Sequence, residues 1–66
     1  MTDLHDKPCA ADGLLSYRYR GPYGWIMIGA KDCADALREA GRSTATVTPW
    51  NLQQWDERAQ RYIPTI

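Results

Sequence analysis

Histidine and cysteine are almost missing from this chain of 66 residues: His5 stands alone, and Cys9 and Cys33 are the two thiols. One possible disulfide does not make a secreted disulfide framework. Nucleophilic catalysis needs a nucleophile, a base and an orienting group, and the single imidazole lies in a polar leader. His5 and Cys9 are four residues apart, which would suit one helix face, but Pro8 disfavours helical geometry in the residue before it. A zinc site takes three or four protein ligands. His5, Cys9 and Cys33 reach that number only with an aspartate and with the leader folded back. Cys33 reads instead as a small inward-facing residue of a helix.

Long apolar runs are missing too. The longest, Trp25 to Ala30, falls far short of the ~20 residues that span a bilayer. The opening MTDLHDKPCAADG has neither the basic segment nor the apolar core of a signal peptide. Net charge is absent, with 8 basic and 8 acidic residues, so the overall basic excess of a dedicated nucleic-acid binder is lacking. The stretch GPYG is no phosphate loop, because the motif's lysine and hydroxyl are missing and no helix follows directly. Asp32 with Asp35, and Asp56 with Glu57, read as a helix cap, a first-turn acid and turn residues. Acid–base catalysis needs carboxylates in environments that separate their pKa values, and so short a chain has little room for a pocket of about 300 Å³. These absences predict a cytoplasmic protein that is not an enzyme and holds no cofactor or metal.

What the chain does contain is ordered. Residues 1–13 are polar and aperiodic and read as a mobile leader. Residues 14–66 read as a single small α+β domain. From Leu15 the pattern alternates: Leu15, Tyr17 and Tyr19 point one way, Ser16, Arg18 and Arg20 the other. GPYG turns the chain as a four-residue loop and WIMIGA returns it. Arg20 then lies opposite Trp25, Tyr19 opposite Ile26, and Tyr17 opposite Ile28. Leu15, Tyr17, Tyr19, Ile26, Ile28 and Ala30 then make the expected core face, whereas a one-residue slip would set Arg18 and Arg20 with the two isoleucines, so burial selects this register.

KDCADALREAG predicts a helix capped by Asp32, with Cys33, Ala36, Leu37 and Ala40 inward and Gly41 as a left-handed terminator. Leu37 is the expected core anchor. The last third supports two readings. Thr48 and Pro49 can start a second helix with Leu52, Trp55, Ala59 and Tyr62 on one face. Alternatively LQQWD, a loop ERAQ and RYIPT form a second hairpin, with Trp55 opposite Tyr62, Asp56 opposite Arg61, and Pro64 on an edge strand. Two strands alone are rarely stable. The expected fold is therefore a small antiparallel sheet with one helix on one face, in the order ββαββ; the alternative is ββα followed by a C-terminal helix.

The register leaves a second sheet face without a helix. It carries Arg18, Arg20, Trp25 and Met27, joined either by Trp55 and Tyr62 or by Leu52 and Ile63. Trp, Tyr, Met and Arg are enriched where proteins bind proteins. Arg18, Arg20, Trp25, Met27, Trp55 and Tyr62 thus form the candidate interaction surface, for a protein partner or a second copy. The alternative partner is single-stranded nucleic acid, whose bases stack on aromatic residues while arginines meet phosphates. A third possibility is plain solvated surface, with Arg20 lying over Trp25 as a cation–π pair.

The string YRYRGPYGWIMIGAKDCADALREAGRS, followed by LQQWD and RYIP, resembles short uncharacterised proteins encoded on bacterial mobile elements: plasmids, integrated phages and genomic islands. The resemblance covers most of the chain from Leu15 onward. It implies a bacterial accessory gene and supports the second hairpin, but it brings no residue of known chemical role. Inhibitors of host defence systems are among the products of such genes, a possibility that rests on gene context alone.

Overall fold

The computed structural model describes Pro8, Ala10 and residues 13–65. The alternating stretch forms strand β1, Leu15–Gly21, and the uncharged stretch after the turn forms β2, Gly24–Ala30. They pair in the expected register, Tyr17 with Ile28 and Arg20 with Trp25. The turn is tighter than expected, because Gly21 and Gly24 also pair and only Pro22 and Tyr23 remain as loop. Gly24 closes it at φ +125°, which a side chain would resist.

Helix α1 spans Cys33–Ala40. The Asp32 carboxylate accepts the Asp35 N–H at 2.8 Å, satisfying a first-turn donor that has no partner within the helix. The far end departs from expectation. Gly41 is right-handed, with φ −63° and ψ −14°, rather than left-handed. The helical turn runs on through Gly41, whose N–H reaches Leu37 O at 3.1 Å, and Thr44, whose N–H reaches Ala40 O at 3.1 Å. The terminal carbonyls are thus satisfied without a change of hand.

The last third folds as the second hairpin, β3 Leu52–Asp56 and β4 Arg61–Pro64. Thr48 and Pro49 begin only a short 3-10 turn, Pro49–Asn51, before the chain becomes extended. A second helix would have left β1 with one open edge. As a strand, β3 fills it, pairing Tyr17 with Gln54 and Tyr19 with Leu52. The result is a four-stranded antiparallel sheet, ordered β2-β1-β3-β4, in a ββαββ chain. Pro64 sits on the edge strand, where it removes no ladder bond from a neighbour. Asp56 and Arg61 are register partners, but the Asp56 carboxylate accepts the Arg58 N–H at 3.0 Å and closes the turn.

The helix covers one face. Tyr17, Tyr19, Ile28, Ala30 and Leu52 from the sheet, with Ala36 and Ala40 from α1, make the buried core. Alanines at the contact allow the helix to approach the strands closely. Leu37 is half-buried at the margin rather than central; Leu52 is the largest aliphatic side chain fully enclosed. Leu15 also departs from its expected core position and is 44% exposed, at the end of the sheet opposite Ala30. The Tyr19 hydroxyl accepts the Thr48 N–H at 2.8 Å and donates to Thr46 O at 3.3 Å, tying the α1–β3 connection to the core. Burial raises the Tyr19 pKa, but hydrogen bonds from Thr48 and Asn51 outweigh it and hold the phenol below its ordinary value.

Most of the expected leader, residues 1–13, and both ligand candidates in it, His5 and Cys9, lie outside the described residues; Pro8, Ala10 and Gly13 are described. The Ala10 N–H donates to Ser16 Oγ at 2.9 Å.

Leu52→Ala should destabilise the domain by ~2–5 kcal/mol, as for a fully buried leucine, and Leu37→Ala by only about 1 kcal/mol, as for a half-buried one. Thermal melts of the two variants check the order, and a larger loss at Leu37 would contradict the packing.

Burial, reinforced by the Cys33 thiol at 3.9 Å and by Asp32, pushes the Tyr17 phenol up to about 12. An unfolded tyrosine ionises near pH 10. Between those values the unfolded chain has lost the proton that the folded chain still binds, so stability must fall as pH rises. The Tyr17 contribution is complete below about pH 10, and up to roughly 3 kcal/mol is lost by about pH 12. Denaturant titrations of wild type and Tyr17→Phe across that window should show wild type losing stability relative to the variant as pH rises; a difference that stays constant would show an unshifted phenol.

Candidate functional site

Strand alternation and cross-strand register decide which side chains share the face without the helix. On β1 these are Ser16, Arg18 and Arg20. Their β2 partners Gly29, Met27 and Trp25 stand beside them. Gln53 lies opposite Arg18, and Trp55 opposite Tyr62, so β3 and β4 bring both rings to the same face. All six candidate residues, Arg18, Arg20, Trp25, Met27, Trp55 and Tyr62, are therefore on one surface. Of the two pairs the sequence allowed from the second hairpin, it is Trp55 and Tyr62 that join it; Leu52 is buried beneath the helix side.

Arg18 organises this surface. Its guanidinium carbon is 4.0 Å from the centre of the Trp25 ring and 4.7 Å from that of Tyr62, and its Nε donates to Gln53 Oε1 at 2.7 Å. One cation on β1 thus contacts side chains from all three other strands. Trp55 meets Tyr62 edge to face, 5.3 Å between centres at 72°, a geometry that aligns ring edge with ring face. The Trp55 indole N–H donates to Glu57 Oε2 at 3.0 Å. Gln60, at φ 54°, donates to the Glu57 carbonyl at 2.7 Å and to its carboxylate at 3.1 Å. The turn between β3 and β4 therefore holds the Trp55 ring in place.

The surface is layered. Tyr62 is buried under its neighbours, Arg18, Trp25, Met27 and Trp55 are half-buried, and Arg20 is exposed. The expected pairing of Arg20 with Trp25 exists at 5.6 Å, but Arg18 is the closer cation. Direct cross-strand reading misses that contact because it is diagonal: Arg18 is level with Met27, and Trp25 is two residues further along, the next position on the same face. Gln53 and Glu57 were also missed. Gln53 was detectable, since it is two residues before Trp55 and so must share its face. Glu57 was not, because its role depends on the shape of the turn. At the far end, the Cα and Cβ of Ala10 and the Leu14 side chain lie over Gly29, at van der Waals distance from where a side chain there would begin.

The face can stack, hydrogen-bond and attract anions. Elsewhere, a trough of about 750 Å³ opens between the Pro22–Tyr23 turn and the α1–β3 connection, bordered by Tyr19, Arg20, Thr44, Thr46, Thr48 and Asn51. It exceeds what chain length suggested because it lies between two loops rather than inside the core. Among the described residues no three histidine, cysteine, aspartate or glutamate side chains gather to hold a metal, and no helix is long and apolar enough to cross a membrane. No family model, no curated protein and no solved structure matches the chain.

Because Arg18 joins Trp25 and Tyr62, the three should be energetically coupled. In a double-mutant cycle, Arg18→Ala and Trp25→Ala should cost less together than the sum of their separate effects, by ~0.5–2 kcal/mol. Strict additivity would mean that the ring and the cation do not support one another.

Proposed function

We propose that this protein is a non-enzymatic protein-binding module that engages its partner through the outer sheet face. The observation that carries this reading is the Trp25–Arg18–Tyr62–Trp55 ladder, assembled across four strands on the side opposite the helix. Side chains already fixed by stacking lose little freedom when a partner docks, which favours affinity. Trp25, Met27 and Trp55 supply the apolar contact, and exposed Arg20 attracts acidic groups at the rim. The bacterial accessory-gene setting implied by the resemblance would place that partner in the host or on the same mobile element.

Trp25→Ala should weaken partner capture by more than ~1 kcal/mol, as for an interface anchor, while the fold survives because Trp25 lies outside the helix-covered core. Binding assays and a thermal melt on the same variant test both halves. Unchanged capture with an intact fold would reduce the face to ordinary surface. A salt titration with generic single-stranded DNA and RNA separates the nucleic-acid reading, since phosphate contacts give steep salt dependence; tight, salt-steep binding there would replace the protein partner.

A further inference from the structure

The two edges of the sheet are built differently. Strand β4 has four residues and carries Arg61 and Pro64, the kind of features that keep an edge from pairing with another chain. Strand β2 has seven residues, GWIMIGA, with no charge and no proline. Its free backbone groups follow from the register. Gly21 and Gly24 flank a two-residue loop and pair directly, so they exchange both hydrogen bonds. Alternation then turns the N–H and C=O groups of Ile26, Ile28 and Ala30 toward β1. Those of Trp25, Met27 and Gly29 point away from the sheet, and among the described residues no strand lies beyond them.

We propose that β2 is the interface of a symmetric homodimer, in which the β2 strands of two copies pair antiparallel about Met27. A second copy fits this edge because the outward groups at 25, 27 and 29 are spaced evenly about Met27. A two-fold axis there sets Met27 opposite Met27 and Trp25 opposite Gly29, using all three positions on both chains. Every pair joins odd position to odd or even to even, so both outer faces stay on one side. The product is an eight-stranded sheet with both helices on one side and two Arg18 ladders on the other. The same register brings Tyr23, fully exposed at the turn, beside Lys31 of the second copy, where its ring meets a cation. Pairing would also relieve the small core of so short a domain, for which oligomerisation is a usual remedy.

The test reads hydrogen exchange of the wild-type protein at rising concentration, with sedimentation alongside. The expected result is a dimer in which the Trp25, Met27 and Gly29 amides slow as concentration rises, while the Ile26 and Ile28 amides are protected throughout. Met27→Pro removes an outward N–H on each chain and no bond to β1. It should weaken the dimer about 30-fold, two net hydrogen bonds' worth, with native amide dispersion retained. A monomer at every concentration overturns the proposal, as does a dimer whose three amides exchange as in the monomer. Protection that does not change with concentration also overturns it, because the chain's own residues would then cover the edge. If Met27→Pro fails to fold, wild-type exchange still decides. Loss of partner capture in Trp25→Ala bears on the outer face and leaves this edge untouched.

Discussion

The register between β1 and β2 is the constraint on which the rest of this small protein depends. It places Tyr17 and Tyr19 with Ile26 and Ile28 on one face and Arg18 and Arg20 with Trp25 and Met27 on the other. A slip by one would bury two guanidinium groups or expose two isoleucines. Because β1 is interior to the sheet, the same choice also sets β3, whose Leu52 pairs with Tyr19 and enters the core while Gln53 meets Arg18 outside. The helix then finds a surface of tyrosine rings and small aliphatic groups against which Ala36 and Ala40 pack without remaining exposure.

The two faces are stabilised by different physics. The inner face excludes water under a short helix, which isolated in water would not hold its own structure. Among the described residues no helix lies above the outer face, and its side chains cover one another: Arg18 lies between two rings, Gln53 fixes its Nε, and Trp55 closes over Tyr62. The methylene stem and flat guanidinium of arginine suit this role, because they cover apolar surface while the charge keeps a hydrogen-bonding partner. A lysine in its place would lose the planar stacking and the directed bond to Gln53. What the self-covered face leaves available is the exposed Arg20 and the rims of Trp25, Met27 and Trp55, and these are what a docking partner would meet.

The turns show how local chemistry serves the same surface. Glu57 accepts from the Trp55 indole and from the Gln60 amide, so the loop joining β3 and β4 also orients an aromatic ring of the outer face. Tyr19 performs the equivalent task inside, its hydroxyl binding the backbone of the α1–β3 connection. In each case a polar group ties an irregular segment to a strand position that alternation had already assigned.

From sequence alone, period-two alternation decided the first hairpin, its pairing and the membership of both faces, since one register avoids burying arginine. Helical spacing and Asp32 decided α1 and its start. LQQWDERAQRY carries apolar residues at both spacings, and the hairpin was the expected reading because two strands alone are rarely stable; the structure bears it out, and adds that β3 fills the open edge of β1. Tertiary structure also moved the weight of the core from Leu37 to Leu52, because the helix approaches through its alanines and leaves the leucine at the margin. Arg18 rather than Arg20 became the centre of the outer face for a similar reason. Sequence assigns the level neighbour, but side chains as long as arginine and tryptophan reach the diagonal one, and only the packed sheet determines which contact forms.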